Sequence, residues 1–326
     1  MTKKQITSVA ILVFLLVTSG CTLRKPVDER VTLDVNAAQL YFEVSGQNEN
    51  APLLVFLHGG PGSVAHLVMF QETVGRELEK DFLVVYVHQR GTGKSSPVPD
   101  SELTIAAHIE DLVKILDDLA LRYGRAKVHL VGHSWGGMLA GLFAVSHRER
   151  VEELVLLSTA VNVEALLRDS YEVALQWAQE KDVPQAVAEL TALDHSFDTI
   201  RHFGTVLGWA NQAGGLAPNF DMDAFVASHD IDRDYPSWRQ RQGTINRAMM
   251  QQVLEIDLSG SFPSLDIPVL FVSGARDTIV TETTMRREYR DYPGPKSFVL
   301  LQESHHLPFV DQPEELAEAI RTFLSE

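Results

Sequence analysis

Lys127-Val128-His129-Leu130-Val131, then Gly132-His133-Ser134-Trp135-Gly136, then Gly137-Met138-Leu139-Ala140 is the stretch that decides the fold. The first five residues are a short, largely apolar run of strand length. The last four continue as a helix, and no spacer separates the two patterns. A serine at such a corner, with a glycine two residues to either side, reads as a nucleophile elbow, the strained turn that lifts a hydroxyl above the edge of a sheet. A Cβ at either glycine would collide with the crowded strand and helix. Gly-x-Ser-x-Gly alone is weak, because Gly and Ser are common residues. The strand before it and the helix after it make it specific, and they point to Ser134 as a nucleophile.

Working outward, short apolar runs bounded by turn residues recur at Pro52–Leu57, Phe82–Val87, Glu153–Ser158, Pro268–Ser273 and Ser297–Leu301. Their near-continuous apolar character is that of strands buried on both faces. Val31–Val35 and Gln39–Val44 read as a starting hairpin, and Leu103–Arg122 as a helix with apolar residues at Ile105, Ile109, Leu112, Val113, Leu116 and Leu119. Strands alternating with helices predict an α/β fold with a mostly parallel, doubly wound sheet. The alternation lapses over residues 161–262, where helical patterns run on without a strand, so a helical cap is expected there as an insertion. The core is then expected in two parts, 31–160 and 263–326.

A serine needs a base, and the base needs an orienting acid, in the chain order Ser, Asp, His, each just after a later strand. Asp277 follows the run Pro268–Ser273. Asp257 and Asp266 compete with it but precede that strand, at the wrong end of the sheet. His305 and His306 both follow Ser297–Leu301, and position alone does not separate them. An oxyanion hole must offer two backbone N–H groups. Trp135, next after the serine, is one candidate donor. Gly60, in His58-Gly59-Gly60-Pro61-Gly62 after the run Pro52–Leu57, is the other. His58 is expected to brace that loop, and Arg90 to brace the site.

His58-Gly59-Gly60-Pro61-Gly62, Gln89-Arg90-Gly91-Thr92-Gly93-Lys94-Ser95 and Gly132-His133-Ser134-Trp135-Gly136-Gly137 together resemble the proline iminopeptidase family of α/β-hydrolases. The likeness covers most of residues 30–160 and resumes over 266–326. His306-Leu307-Pro308-Phe309 followed by Gln312-Pro313-Glu314-Glu315 is similar to the family's Gly-His-x-Pro-Phe and Gln-Pro-Glu-Glu segments, which favours His306 over His305 as the base. The family carries Asp before Gln-Arg-Gly where this chain has His88. The resemblance implies a serine hydrolase that works through an acyl-enzyme and removes one N-terminal residue, often proline, from short peptides. The alternative is a carboxylesterase or lactonase acting on small uncharged acyl groups; a third reading is a binding protein that kept the fold without its chemistry. An aminopeptidase needs a carboxylate at the pocket mouth to pair with the substrate's ammonium. Asp169, Asp194, Asp221, Asp230 and their acidic neighbours in the cap are the candidates, and Trp177, Phe203, Trp209, Phe225 and Trp238 are candidate pocket aromatics.

Gly91-Thr92-Gly93-Lys94-Ser95 is not a phosphate loop: His88 stands where the first glycine belongs, and Pro97 and Pro99 follow where a helix should. No His-Glu-x-x-His and no cysteine pair are present, so no metal and no cofactor are expected. Twenty-eight basic against 44 acidic side chains give a net charge of −16, which repels phosphate backbones and excludes nucleic acid as a natural partner. The partners expected are a small molecule or short peptide as substrate, and a membrane. Lys3 and Lys4 precede the apolar run Val9–Val17, too short for a bilayer, which takes about 20 helical residues. Thr18-Ser19-Gly20-Cys21 then looks like a bacterial lipobox. Residues 1–20 are expected to be a lipoprotein signal peptide, Cys21 the lipidated residue and 21–30 a tether. Location in the cell envelope follows, and Thr22 in place of Asp favours the outer membrane, periplasmic side. Cleavage removes two lysines and no acid, taking the net charge from −16 to −18, so acyl chains rather than charge must hold the protein to anionic lipid.

Overall fold

The computed structural model describes residues 25–325. Its centre is an eight-stranded sheet in the order β1-β2-β4-β3-β5-β6-β7-β8. The strands are β1 (Val27–Val35), β2 (Ala38–Gly46), β3 (Leu53–Leu57), β4 (Leu83–His88), β5 (Val128–His133), β6 (Val151–Leu157), β7 (Val269–Gly274) and β8 (Lys296–Leu301). β1 and β2 form an antiparallel hairpin, β2 pairs antiparallel with β4, and every pairing from β4 to β8 is parallel.

Side-chain alternation explains why the central strands are apolar at nearly every position. Leu53, Val55 and Leu57 of β3 join one core cluster, while Leu54 and Phe56 join the other. In β6, Leu154 and Leu156 divide from Val155 and Leu157 in the same way. The first cluster is closed by the helices Ile105–Tyr123 and Trp135–Ser146, the second by Val64–Phe70 and Pro313–Phe323. Complete burial of each such side chain stabilises by about 1.5–3 kcal/mol, so the sheet is where the fold's stability is concentrated.

Strand β1 begins four residues before the apolar pattern does. As an edge strand it pairs with β2 only, and Asp28 and Arg30 point outward, so hydrogen bonding extends it through polar residues that carry no apolar signal. Between β6 and β7 the chain runs through helices, the longest being Val163–Glu180, Ile200–Gln212 and Trp238–Leu254. Among the described residues the only β pairing in this segment is the bridge between Asn162 and Asp257, which ties its two ends together.

Candidate active site

β5 ends at His133 and the next helix starts at Trp135, leaving Ser134 alone at the corner with φ 52° and ψ −122°. An L residue held at positive φ is strained by about 1–3 kcal/mol. The surroundings hold it there: Ser134 N–H donates to Leu157 O (3.0 Å), and Ser134 O accepts from Gly137 N–H (2.9 Å) and from the Thr159 hydroxyl (2.7 Å). Gly136 packs so closely on β3 that a Cβ would overlap the Leu57 carbonyl.

β7 and β8 deliver the other two groups. His306 Nε2 lies 3.1 Å from Ser134 Oγ, and His306 Nδ1 lies 2.9 Å from Asp277 Oδ2. The carboxylate can only accept, so Nδ1 carries the proton and Nε2 presents a lone pair to the serine. Asp277 is in turn aimed by Ile279 N–H (2.8 Å) and Val280 N–H (2.9 Å), both donating to Oδ1. His306 is fixed through its backbone: its N–H donates to Gly215 O and Leu216 O, and its carbonyl accepts from His133 Nε2 at 2.8 Å. The adjacent His305 turns away, with its backbone N–H 2.7 Å and its Nδ1 3.2 Å from Asp311 Oδ2. Asp257 holds the turn at Ser259 N–H, and Asp266 precedes β7; neither reaches the serine.

Gly60, Trp135, Ser134 and His306 line one cavity of about 240 Å³. Gly60 has φ 132°, a conformation that favours glycine. Neither Gly60 N–H nor Trp135 N–H has a protein partner among the described residues, leaving both donors free. Gln89 joins the two halves: its Nε2 donates to His58 O (2.8 Å), and its Oε1 accepts from Trp135 Nε1 (2.8 Å). His58 is fully buried with Nδ1 2.9 Å from Gly59 O, and burial lowers its pKa to about 4.

The family model for the alpha/beta hydrolase fold matches residues 52–313. The chain belongs to the alpha/beta hydrolase fold family. The hydrolase is 24% identical over 305 residues to a probable aminopeptidase of Bacillus subtilis, covering 88% of this chain and 93% of the relative. It is 24% identical over 317 residues to a proline iminopeptidase of Heyndrickxia coagulans, covering 90% and 97%. Among solved structures, the proline iminopeptidase of Mycobacterium smegmatis superposes with a TM-score of 0.68 at 18% identity, covering 91% of this chain and 98% of that one.

Apart from His66 and Gln242, the rest of the hydrolase's cavity wall is apolar. Met138, Ile279 and Val280 from the core face Leu166, Phe203 and Leu207 from the helical segment. No Asp, Glu, Lys or Arg lines it among the described residues. Four acids of the helical segment are engaged elsewhere: Asp169 with Arg287 and Thr284, Asp194 with His202, Asp221 capping the helix Met222–Ser228, and Asp230 with Arg233. Of the candidate aromatics only Phe203 reaches the cavity; Trp209 and Trp238 direct their indole N–H groups to Glu189 and Asp232.

Arg90 does not brace the site as the sequence suggested. It is buried against Asp111, with Nε 2.9 Å from Oδ2, and also donates to Asn36 O, so it ties the first hairpin to the helix Ile105–Tyr123. Arg241 performs the bracing that sequence reading missed. From the helix Trp238–Leu254 it donates to the carbonyls of Gly91, Gly93 and Ser95, clamping the helical segment onto the loop beside Gln89. His88 lies outside the cavity, buried against Tyr41 and Tyr235; burial and the neighbouring His58, Lys94 and Arg241 keep it neutral.

Proposed function

We propose that the hydrolase acts through an acyl-enzyme on esters or lactones with a neutral, apolar acyl group. The observation that carries this reading is the uncharged wall of the cavity around Ser134. A substrate ammonium taken into it would lose its water and meet no counter-charge, which is costly. His306 Nε2 takes the Ser134 proton as Oγ attacks the carbonyl carbon. Gly60 N–H and Trp135 N–H hold the developing oxyanion, and Asp277 stabilises the imidazolium. The same imidazolium then protonates the leaving oxygen, and water, deprotonated by His306, releases the acid.

A second reading, an aminopeptidase on short peptides, is supported by the names of the relatives in Bacillus and Heyndrickxia. One comparison separates the two: kcat/KM for an aryl butyrate, for an amino-acid arylamide and for the N-acetylated twin of that arylamide. The neutral-acyl reading expects the ester to be turned over best and the acetylated amide no worse than the free amine. A preference of tenfold or more, on the order of 1.4 kcal/mol, for the free amine would reject it in favour of the aminopeptidase. For location we propose a lipid anchor at Cys21 in the bacterial envelope, supported by the Lys3-Lys4 start, the apolar run Val9–Val17 and Ser19-Gly20-Cys21.

A further inference from the structure

Among the described residues, His66 and Gln242 are polar side chains of the cavity wall that the acyl-transfer steps leave unused. His66 sits in the helix Val64–Phe70, immediately after the oxyanion loop. Its Nδ1 is buried without a hydrogen-bond partner among the described residues. Among the described residues its Nε2 has no hydrogen-bond partner either but is not sealed off, so the open edge of the ring faces the cavity. Burial, with smaller effects from His306 and His58, lowers its pKa to about 3, and the ring is neutral at any working pH.

An imidazole here is a poor choice for packing alone. The neighbouring wall is apolar, and a buried nitrogen without a partner is destabilising where Leu or Phe would not be. Local departures of this kind concentrate at functional positions. The placement says which part of the substrate it meets. His66, His133 and His306 stand in series, with ring centroids 5.4 Å and then 5.0 Å apart. His306 must protonate the leaving oxygen, so a group on its side of the cavity faces the departing alcohol.

We propose that His66 determines specificity by hydrogen-bonding a hydroxyl on the leaving group, so that esters of diols or polyols are preferred over esters of simple alcohols. A hydroxyl both donates and accepts, so it answers Nε2, the ring nitrogen open to the cavity, in either tautomer. This inference rests on the neutral-acyl reading above.

The test compares ethylene glycol monobutyrate with propyl butyrate, which differ by a terminal hydroxyl in place of a methyl, by titrating released acid. Wild type is expected to show a kcat/KM about tenfold higher for the glycol ester, the size of one hydrogen bond made in a water-poor site. In His66→Leu the ratio is expected to fall to about one, whatever happens to the absolute rates, and in His66→Gln to stay above one. Equal rates for the two esters in wild type overturn the inference alone, with no variant needed. A ratio that survives in His66→Leu also overturns it. Failure to hydrolyse either ester overturns the neutral-acyl reading, and the inference with it.

Discussion

The φ of 52° at Ser134 is tolerated because four local constraints converge on it: the Leu157 carbonyl, the Thr159 hydroxyl, the start of the next helix, and the close approach of Gly136 to β3. The two histidines that sequence position leaves undivided are separated by their partners, Asp277 for His306 and Asp311 for His305. A fluorophosphonate probe should therefore label the protein once, at Ser134, and labelling and turnover should vanish together in Ser134→Ala. His306→Ala should lose on the order of 10⁴-fold or more in kcat, because triad members act as a unit. His305→Ala should remain active. Asp277→Asn should fall by on the order of 10⁴-fold through the wrong tautomer on His306. A probe adduct on any other residue, or an inactive His305→Ala, would refute the assignment.

At the scale of elements, the helical segment is held to the sheet by a neck. Its two ends meet at Asn162 and Asp257, Val163 N–H donates to Ile256 O, and Leu258 N–H donates to Val161 O. Beneath them lies Glu288 of the helix Glu282–Asp291, with Oε1 accepting from Val161 N–H at 2.7 Å and Oε2 buried without a partner among the described residues. Burial raises its pKa from 4.5 to about 8; Arg287 opposes the shift and Asp169 adds to it. The folded state thus binds a proton that the unfolded state has released. The contribution to stability is fully present below about 4.5 and is lost as pH rises through about 8. Urea midpoints measured between pH 5 and 9 should fall for this reason, and Glu288→Gln should flatten the slope and gain relative to wild type at the alkaline end. Identical slopes for the two proteins would show that Glu288 does not titrate in this window.

On the scale of the whole molecule, the parallel strands β5, β7 and β8 all release their catalytic candidates at the same edge of the sheet, and the helical segment closes over that edge. The described chain begins at Lys25, close after Cys21, which lies outside the described residues. No helix among the described residues is long and apolar enough to cross a membrane. The proposed anchor at Cys21 predicts that wild type partitions into detergent and carries a mass increment on its N-terminal peptide, and that Cys21→Ser appears soluble or unprocessed. Identical fractionation of the two forms would remove the anchor.

By itself the sequence determined the parts whose signals are local. Strands buried on both faces are apolar throughout, so β3 to β7 could be read within a residue or two, and a serine in a strand-to-helix corner required glycines at 132 and 136. The polar edge strand β1 began earlier than its pattern, because ladder hydrogen bonds do not depend on apolar side chains. Asp111 and His108 of the helix Ile105–Tyr123 are buried although both are polar: Asp111 meets the distant Arg90, and His108 bonds Thr104 O through Nδ1 and packs edge-on against the distant Trp135. The substrate's surroundings were decided by tertiary structure for the same reason. Whether an acid of the helical segment faces a cavity, an arginine or solvent depends on how helices far apart in sequence pack, and that packing turned Asp169 onto Arg287, left Asp194 and Asp230 exposed, and brought His66 and Phe203 to the cavity wall.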